Sequence, residues 1–166
     1  MSSMFCYQCE QTAKGEGCTA HGVCGKDPET SDLQDVLIEV TKGIGQYANR
    51  AAQLGGRDRT LDVFVCKALF TTVTNVNFDP EVVATCVRQA VTERERARSL
   101  YEQACQQAGK TPEDVVGPAL FEPGDSTDAM LAQAEAIRID KRLESLGSDV
   151  TGLQELILYG LKGMAA

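Results

Sequence analysis

The sequence has no tryptophan, a single histidine and only 5% aromatic residues, so any core must be built from aliphatic side chains and alanine rather than stacked rings. Basic residues are in deficit: 16 Lys and Arg stand against 24 Asp and Glu, a formal charge of -8. An acidic surface repels phosphate backbones, which excludes a general affinity for nucleic acid and favours a basic protein or a small ligand as partner. Long apolar runs are missing too. No stretch approaches the roughly 20 residues needed to cross a bilayer, and no charged segment followed by an apolar one opens the chain. The expectation is a soluble, unexported, cytoplasmic protein. There is also no Walker loop, nucleophile elbow, dinucleotide fingerprint or second group of metal ligands, so no catalytic residue is assigned.

What is present is an unusual placing of cysteine. Of seven cysteines, Cys6, Cys9, Cys18 and Cys24 crowd into the first 24 residues, while Cys66, Cys86 and Cys105 stand alone. A secreted scaffold usually spreads its cysteines in pairs, so a dense thiol cluster in a reducing compartment points to metal. Residues 1–30 show no helical or strand period and carry Gly15, Gly17, Gly22 and Gly25 between the thiols. This is the pattern of a loop wrapped around something.

Helical signals begin after this loop. Ser31 with Gln34 three residues on reads as a capping box ahead of Leu33, Val36, Leu37, Val40 and Ile44, and Gly55 and Gly56 end that helix. A second helix is expected over about 61–74, stopped by Asn75 and Asn77. Asp79 and Pro80 start a third that runs to Ala108, with Gly109 closing it. Its run Glu93, Arg94, Glu95, Arg96 alternates in sign and reads as a solvated face. A connection rich in Gly and Pro follows, with a tight turn at Pro123 and Gly124, before a weaker helix over about 129–146 that Gly147 stops. Cys66, Cys86 and Cys105 fall on or beside apolar helix faces and read as core; His21 reads as a loop or surface residue.

The end of the chain repeats the first helix. Thr151, Leu153, Gln154, Glu155, Leu156, Ile157, Leu158, Lys162, Gly163 and Met164 align with Ser31, Leu33, Gln34, Asp35, Val36, Leu37, Ile38, Lys42, Gly43 and Ile44. The fold class expected is therefore all-α. It comprises a cysteine-rich cluster-binding loop (1–30), a three-helix bundle (31–147) and the first helix of a second, incomplete bundle (148–166). Either that last helix folds back on the first bundle, or Leu153, Leu156, Ile157 and Leu161 lack a partner.

The cysteine spacing has a chemical reading. Two residues separate Cys6 from Cys9, eight separate Cys9 from Cys18, and five separate Cys18 from Cys24. The short gap aims two sulfurs at one centre, and the longer gaps give the chain reach to the remaining corners of a four-iron, four-sulfur (4Fe-4S) cube. Gly17, Gly22 and Gly25 would bring backbone N–H groups near sulfur, and Lys14 and Lys26 would balance charge. A structural zinc site also takes four cysteines, commonly as two short pairs, and only one short pair exists here. A zinc-stapled or metal-free helical interaction module without redox function is the alternative.

The segment Phe5-Cys6-Tyr7-Gln8-Cys9-Glu10-Gln11-Thr12-Ala13, then Gly17-Cys18, then Gly22-Val23-Cys24-Gly25-Lys26, resembles the N-terminus of the hybrid cluster proteins, also called prismane proteins or hydroxylamine reductases. Thr74-Asn75-Val76-Asn77-Phe78 and Tyr159-Gly160-Leu161-Lys162-Gly163 are similar to further segments of that family. The resemblance implies a helical domain of two three-helix bundles. Its cysteine-bound cluster would relay electrons to a hybrid iron-sulfur-oxygen cluster that reduces hydroxylamine or nitric oxide. Cys6, Cys9, Cys18 and Cys24 carry over as ligands of a 4Fe-4S cluster. The later domains that supply the hybrid-cluster ligands are absent from this sequence, so the chain is not expected to be catalytic alone. Its implied partners are the remainder of the hybrid cluster protein, or its redox partner, and a small electron-donor protein.

Overall fold

The structure, a computed structural model, describes residues 4–7, 9, 11–73 and 76–166, and among these it is all-α. The helices are α1 (Pro28–Gln53), α2 (Arg59–Thr71), α3 (Pro80–Gln107), α4 (Thr127–Ile137) and α5 (Ile139–Ala165), with short 3-10 turns at Ala13–Gly15 and Gly117–Leu120. No helix among the described residues is long and apolar enough to cross a membrane.

α1 is the axis of the molecule. Leu33, Val36, Leu37, Val40 and Ile44 recur at three- and four-residue intervals, share one face and are all fully buried. Each contributes about 1.5–3 kcal/mol by leaving water. α3 makes the most extensive contact with α1. Its contact face includes Ala84, Ala90, Ala97 and Ala104, all buried, and these short side chains let the two helices run close together. α2 adds Leu61, Phe64 and Ala68 to the same core, and α4 adds Met130 and Ala134. α1, α2 and α3 thus form the expected three-helix bundle, with α4 closing its side. Gly43 of α1 is needed for the crossing of the α3–α4 connection, since a Cβ there would lie 2.6 Å from the Pro118 carbonyl oxygen.

Several boundaries differ from the sequence reading. α1 begins at Pro28, one turn early: Asp27 is the cap, its carboxylate accepting from the Thr30 N–H at 2.7 Å, and Ser31 is buried inside the helix. Aspartate followed by proline is the same start signal as Asp79-Pro80, which caps α3 as expected. α2 ends at Thr71 rather than at Thr74; Thr74 and Asn75, expected to end that helix and to belong to a family segment, lie outside the described residues. The helix expected over 129–146 is broken at Arg138, whose backbone is extended (φ -58, ψ 155). That break lays the Arg138 side chain, 8% exposed, within electrostatic reach of Asp32. Gly124 does not close a tight turn with Pro123; its N–H is donated to the Gln133 side chain at 2.7 Å.

Two readings of side chains are corrected. Arg94 is not on a solvated face: it is 1% exposed and donates to the Phe121 carbonyl and, at 2.6 Å, to Glu122, pinning the connection to α3. Of the three isolated cysteines, Cys105 is buried and Cys86 packs partly against the core, but Cys66 is exposed on the outer side of α2.

α5 lies against α2 and α4 and is interrupted at Gly147 (φ 81, ψ 167). Beyond that break it buries Thr151, Glu155 and Lys162. Leu153, Leu156, Ile157, Leu161 and Met164 face out. The helix folds back on the first bundle, but with its polar side inward.

Candidate metal centre

The N-terminal loop is ordered by a two-rung antiparallel ribbon. The Cys6 N–H is donated to the Cys18 carbonyl at 3.0 Å and the Cys18 N–H to the Cys6 carbonyl at 2.7 Å, with Met4 N–H to the Thr19 carbonyl alongside. Residues that exchange both hydrogen bonds project their side chains to the same face. Twelve positions apart in sequence, Cys6 and Cys18 are thus made neighbours. Cys9 is held by its carbonyl, which accepts from both the N–H and the hydroxyl of Thr12. Cys24 sits in a turn closed by the Gly25 N–H to the Gly22 carbonyl and the Gly22 N–H to the Lys26 carbonyl. Cys18 is buried, while Cys6, Cys9 and Cys24 are half-buried.

Two of the glycines stand where a side chain has no room. The N–H groups of Gly17, Gly22 and Gly25 all go to backbone carbonyls rather than to sulfur. A Cβ at Gly22 would stand 3.1 Å from the Cys24 sulfur, and one at Gly17 would stand 2.7 Å from the Phe5 ring. Gly25, at φ +95, takes a backbone conformation open to glycine. The expected charge balance falls to Lys26 and not to Lys14, which is exposed at positive φ. Lys26 is 1% exposed, with its Nζ 4.0 Å from the Cys6 sulfur and 2.6 Å from the Gln34 Oε1. Gln34 in turn donates to the Asn77 carbonyl at 3.2 Å, so the residue read as half of a capping box instead ties the loop to α1 and to the α2–α3 connection. His21 is exposed.

α5 reaches the same loop from the other end of the chain. The Tyr159 hydroxyl is donated to the Tyr7 carbonyl at 3.0 Å, and the two rings stack with centroids 6.4 Å apart and 7° between planes. Phe5 meets Tyr7 edge-on at 5.5 Å. Lys162, one turn further on, is buried, and burial pulls its ammonium down to about 8 while the Asp35 carboxylate holds it up. The Cys6 sulfur also acts on it in the charge-retaining direction. Burial pushes Asp35 up to about 7, against the pull of Lys162. Tyr7 is held well above its ordinary range by burial and then by Glu155. The buried Lys26 ammonium thus stands by the Cys6 sulfur, with the buried Lys162 ammonium within electrostatic reach of it.

The donor set and its surroundings fit an anionic thiolate centre. Four thiols, soft donors, lie within one loop, a β-ribbon pairs two of them, and buried cations would compensate charge that is otherwise costly to remove from water. Among the described residues, no group of three or more His, Cys, Asp or Glu side chains is already arranged to hold a metal ion. Sequence reasoning missed Tyr159 and Lys162. Thr151, Glu155, Tyr159 and Lys162 form a polar stripe at helical spacing, a signal hidden because that helix was read by its apolar stripe.

The chain is 52% identical to a hydroxylamine reductase of Acidithiobacillus ferrooxidans and 49% identical to that of Rhodospirillum rubrum, in each case over 98% of this chain and 30% of the relative. A hydroxylamine reductase of Geobacter sulfurreducens is 43% identical over the same shares. The chain therefore spans about a third of the length of these relatives. The model of the Prismane/CO dehydrogenase family matches residues 4–166, a stretch that takes in the cysteine ribbon, the bundle and α5 alike, and the chain belongs to that family.

Proposed function

We propose that this chain is the iron-sulfur electron-transfer part of a hydroxylamine reductase, with Cys6, Cys9, Cys18 and Cys24 as the four ligands of a 4Fe-4S cluster. The observation that carries the reading is the ribbon that makes Cys6 and Cys18 neighbours, with Lys26 buried beside the Cys6 sulfur. When bound, such a cluster supplies one-electron storage at a potential that ligand charge, hydrogen bonds and burial set. The chain's own residues do the rest. Cys6 and Cys18 are held by their backbones, Cys9 by Thr12, and Lys26 and Lys162 offset negative charge on sulfur. One electron would enter from a small donor protein and one would leave toward a hybrid cluster whose ligands this chain does not contain. Reduction of hydroxylamine or nitric oxide would belong to the remainder of the longer protein, in the cytoplasm.

The three-part division suits this role. Residues 1–30 bind the cluster, residues 31–147 form the bundle that holds the loop, and residues 148–166 open a second bundle. Leu153, Leu156, Ile157 and Leu161, exposed here, would be buried in that bundle.

The test is an anaerobic preparation assayed for iron, acid-labile sulfide and zinc, with visible and electron paramagnetic resonance spectra before and after dithionite. About four irons and four sulfides per chain and a brown colour that bleaches on reduction are expected. Stoichiometric zinc without sulfide would replace this reading with the zinc-stapled module.

A further inference from the structure

Tyr159 is 152 positions from Tyr7, yet it bonds the Tyr7 carbonyl and stacks on the Tyr7 ring. Tyr7 lies between Cys6 and Cys9, so the bonded carbonyl belongs to the short segment that carries both sulfurs. A cavity of about 390 Å³, lined by Phe5, Tyr7, Glu155, Leu156 and Tyr159 among others, opens beside this pair. Tyr7 and Tyr159 form its wall on the side of the Cys6–Cys9 segment. Burial, then the nearby Cys9 and Cys6 sulfurs, raise the Tyr159 phenol above its ordinary range, which keeps its proton on the oxygen that donates.

We infer that Tyr159 is a positioning residue for the thiolate centre: its ring screens the Cys6–Cys9 turn from water and its hydroxyl fixes the Tyr7 carbonyl. The inference rests on the reading that these cysteines hold an iron-sulfur cluster. Reduction adds one negative charge to such a centre, and water stabilises the more charged state. Opening the screen therefore raises the reduction potential and exposes the cluster to attack by dioxygen and by iron chelators. The stacked ring accounts for the screening, and the hydroxyl for the alignment of the turn.

The experiment compares wild type, Tyr159→Phe and Tyr159→Ala, each as the full chain reconstituted with iron and sulfide. The potential is read by anaerobic redox titration and the loss of visible absorbance is timed in air and with a ferrous chelator. Tyr159→Ala is expected to bleach several-fold faster than wild type and to titrate at a more positive potential. Tyr159→Phe, which keeps the ring but loses the bond to the Tyr7 carbonyl, should stay close to wild type in bleaching rate and fall between wild type and Tyr159→Ala in potential. A Tyr159→Ala protein with unchanged potential and bleaching rate would overturn the inference, as would a Tyr159→Phe protein that behaves like Tyr159→Ala. If Tyr159→Ala loses helical circular dichroism, Tyr159→Leu carries the same comparison with more of the side-chain volume kept. Failure of the wild-type chain to take up iron would instead overturn the cluster assignment beneath it.

Discussion

α1 and the second part of α5 carry the same sequence pattern and use it in opposite ways. Leu33, Val36 and Leu37 are 0% exposed, and their counterparts Leu153, Leu156 and Ile157 are 62%, 68% and 66% exposed. Polar residues reverse the order: Lys42 is half-buried and pairs with Glu39, whereas its counterpart Lys162 is buried near Asp35. The match extends to the helix starts. Pro28 and Ser148 are equivalent positions, and the chain breaks from helical geometry just before each, at Asp27 and at Gly147. Asp35 faces Lys162, while the matching pair Glu155 and Lys42 line a common cavity of about 390 Å³. Such reciprocal pairing is what two related helices give when they meet through their polar sides. Amphipathic pattern thus determines which faces are available for burial, and the surrounding elements decide which one is used.

The strongest way to break this comparison is to delete matched core atoms. Leu37→Ala should cost about 2–5 kcal/mol in urea unfolding, because it leaves a cavity in a filled core. Ile157→Ala, its counterpart, should change stability by no more than about 0.5 kcal/mol. Equal costs at the two sites would show that α5 buries its apolar face in solution.

Next in size is an effect of pH. Burial pushes Asp32 from 3.8 up to about 6, with Arg138 pulling it down and Asp140 and Glu135 raising it. A carboxyl raised on folding favours the folded state fully below its unfolded value of 3.8, and that contribution is lost as pH rises through about 6. Asp32→Asn should therefore stabilise the chain by about 1–3 kcal/mol at pH 8. The gain should vanish below pH 3.8, as read from denaturation at both values. The counterpart position is Gly152, where no such titration exists.

The paired helix starts give a third test. Gly147 lies in a region of backbone space that glycine alone readily occupies, so Gly147→Ala should cost about 1–3 kcal/mol. Asp27→Ala, which removes a cap, should cost about 1 kcal/mol. Thermal unfolding followed by circular dichroism ranks the two. The smallest effect is at the paired lysines. Lys42→Met should cost no more than about 0.5 kcal/mol, the worth of an exposed pair one turn apart. Lys162→Met, which removes the buried partner of Asp35, should move the Asp35 carboxyl above about 7, followed by carboxyl NMR titration.

Much of this architecture was legible in the sequence. Leu33 to Ile44, Asp79-Pro80 and Gly109 announced α1 and α3, because helical period, caps and terminating glycines are local properties. The all-α class followed from them. What escaped depended on distant partners. Arg94 sits in a run of alternating charge, and only the return of Phe121 and Glu122 past α3 makes it a buried anchor. Cys66 lies on a helix with an apolar face, yet it is left exposed on the outer side of α2. At the candidate metal centre the cysteines, glycines and Lys26 stand out by spacing and composition. Tyr159 and Lys162 do not, since a contact across the whole chain leaves no local trace.

The bond between Tyr159 and Tyr7 also sets a timetable. The cysteine loop is synthesised before its cover, which follows 152 positions later. At about 5–20 residues per second, roughly 8–30 s elapse between the two. During that interval the thiols are exposed on a bundle that is still forming. Until Tyr159 is made, the Cys6–Cys9 segment lacks the ring that later stacks on Tyr7.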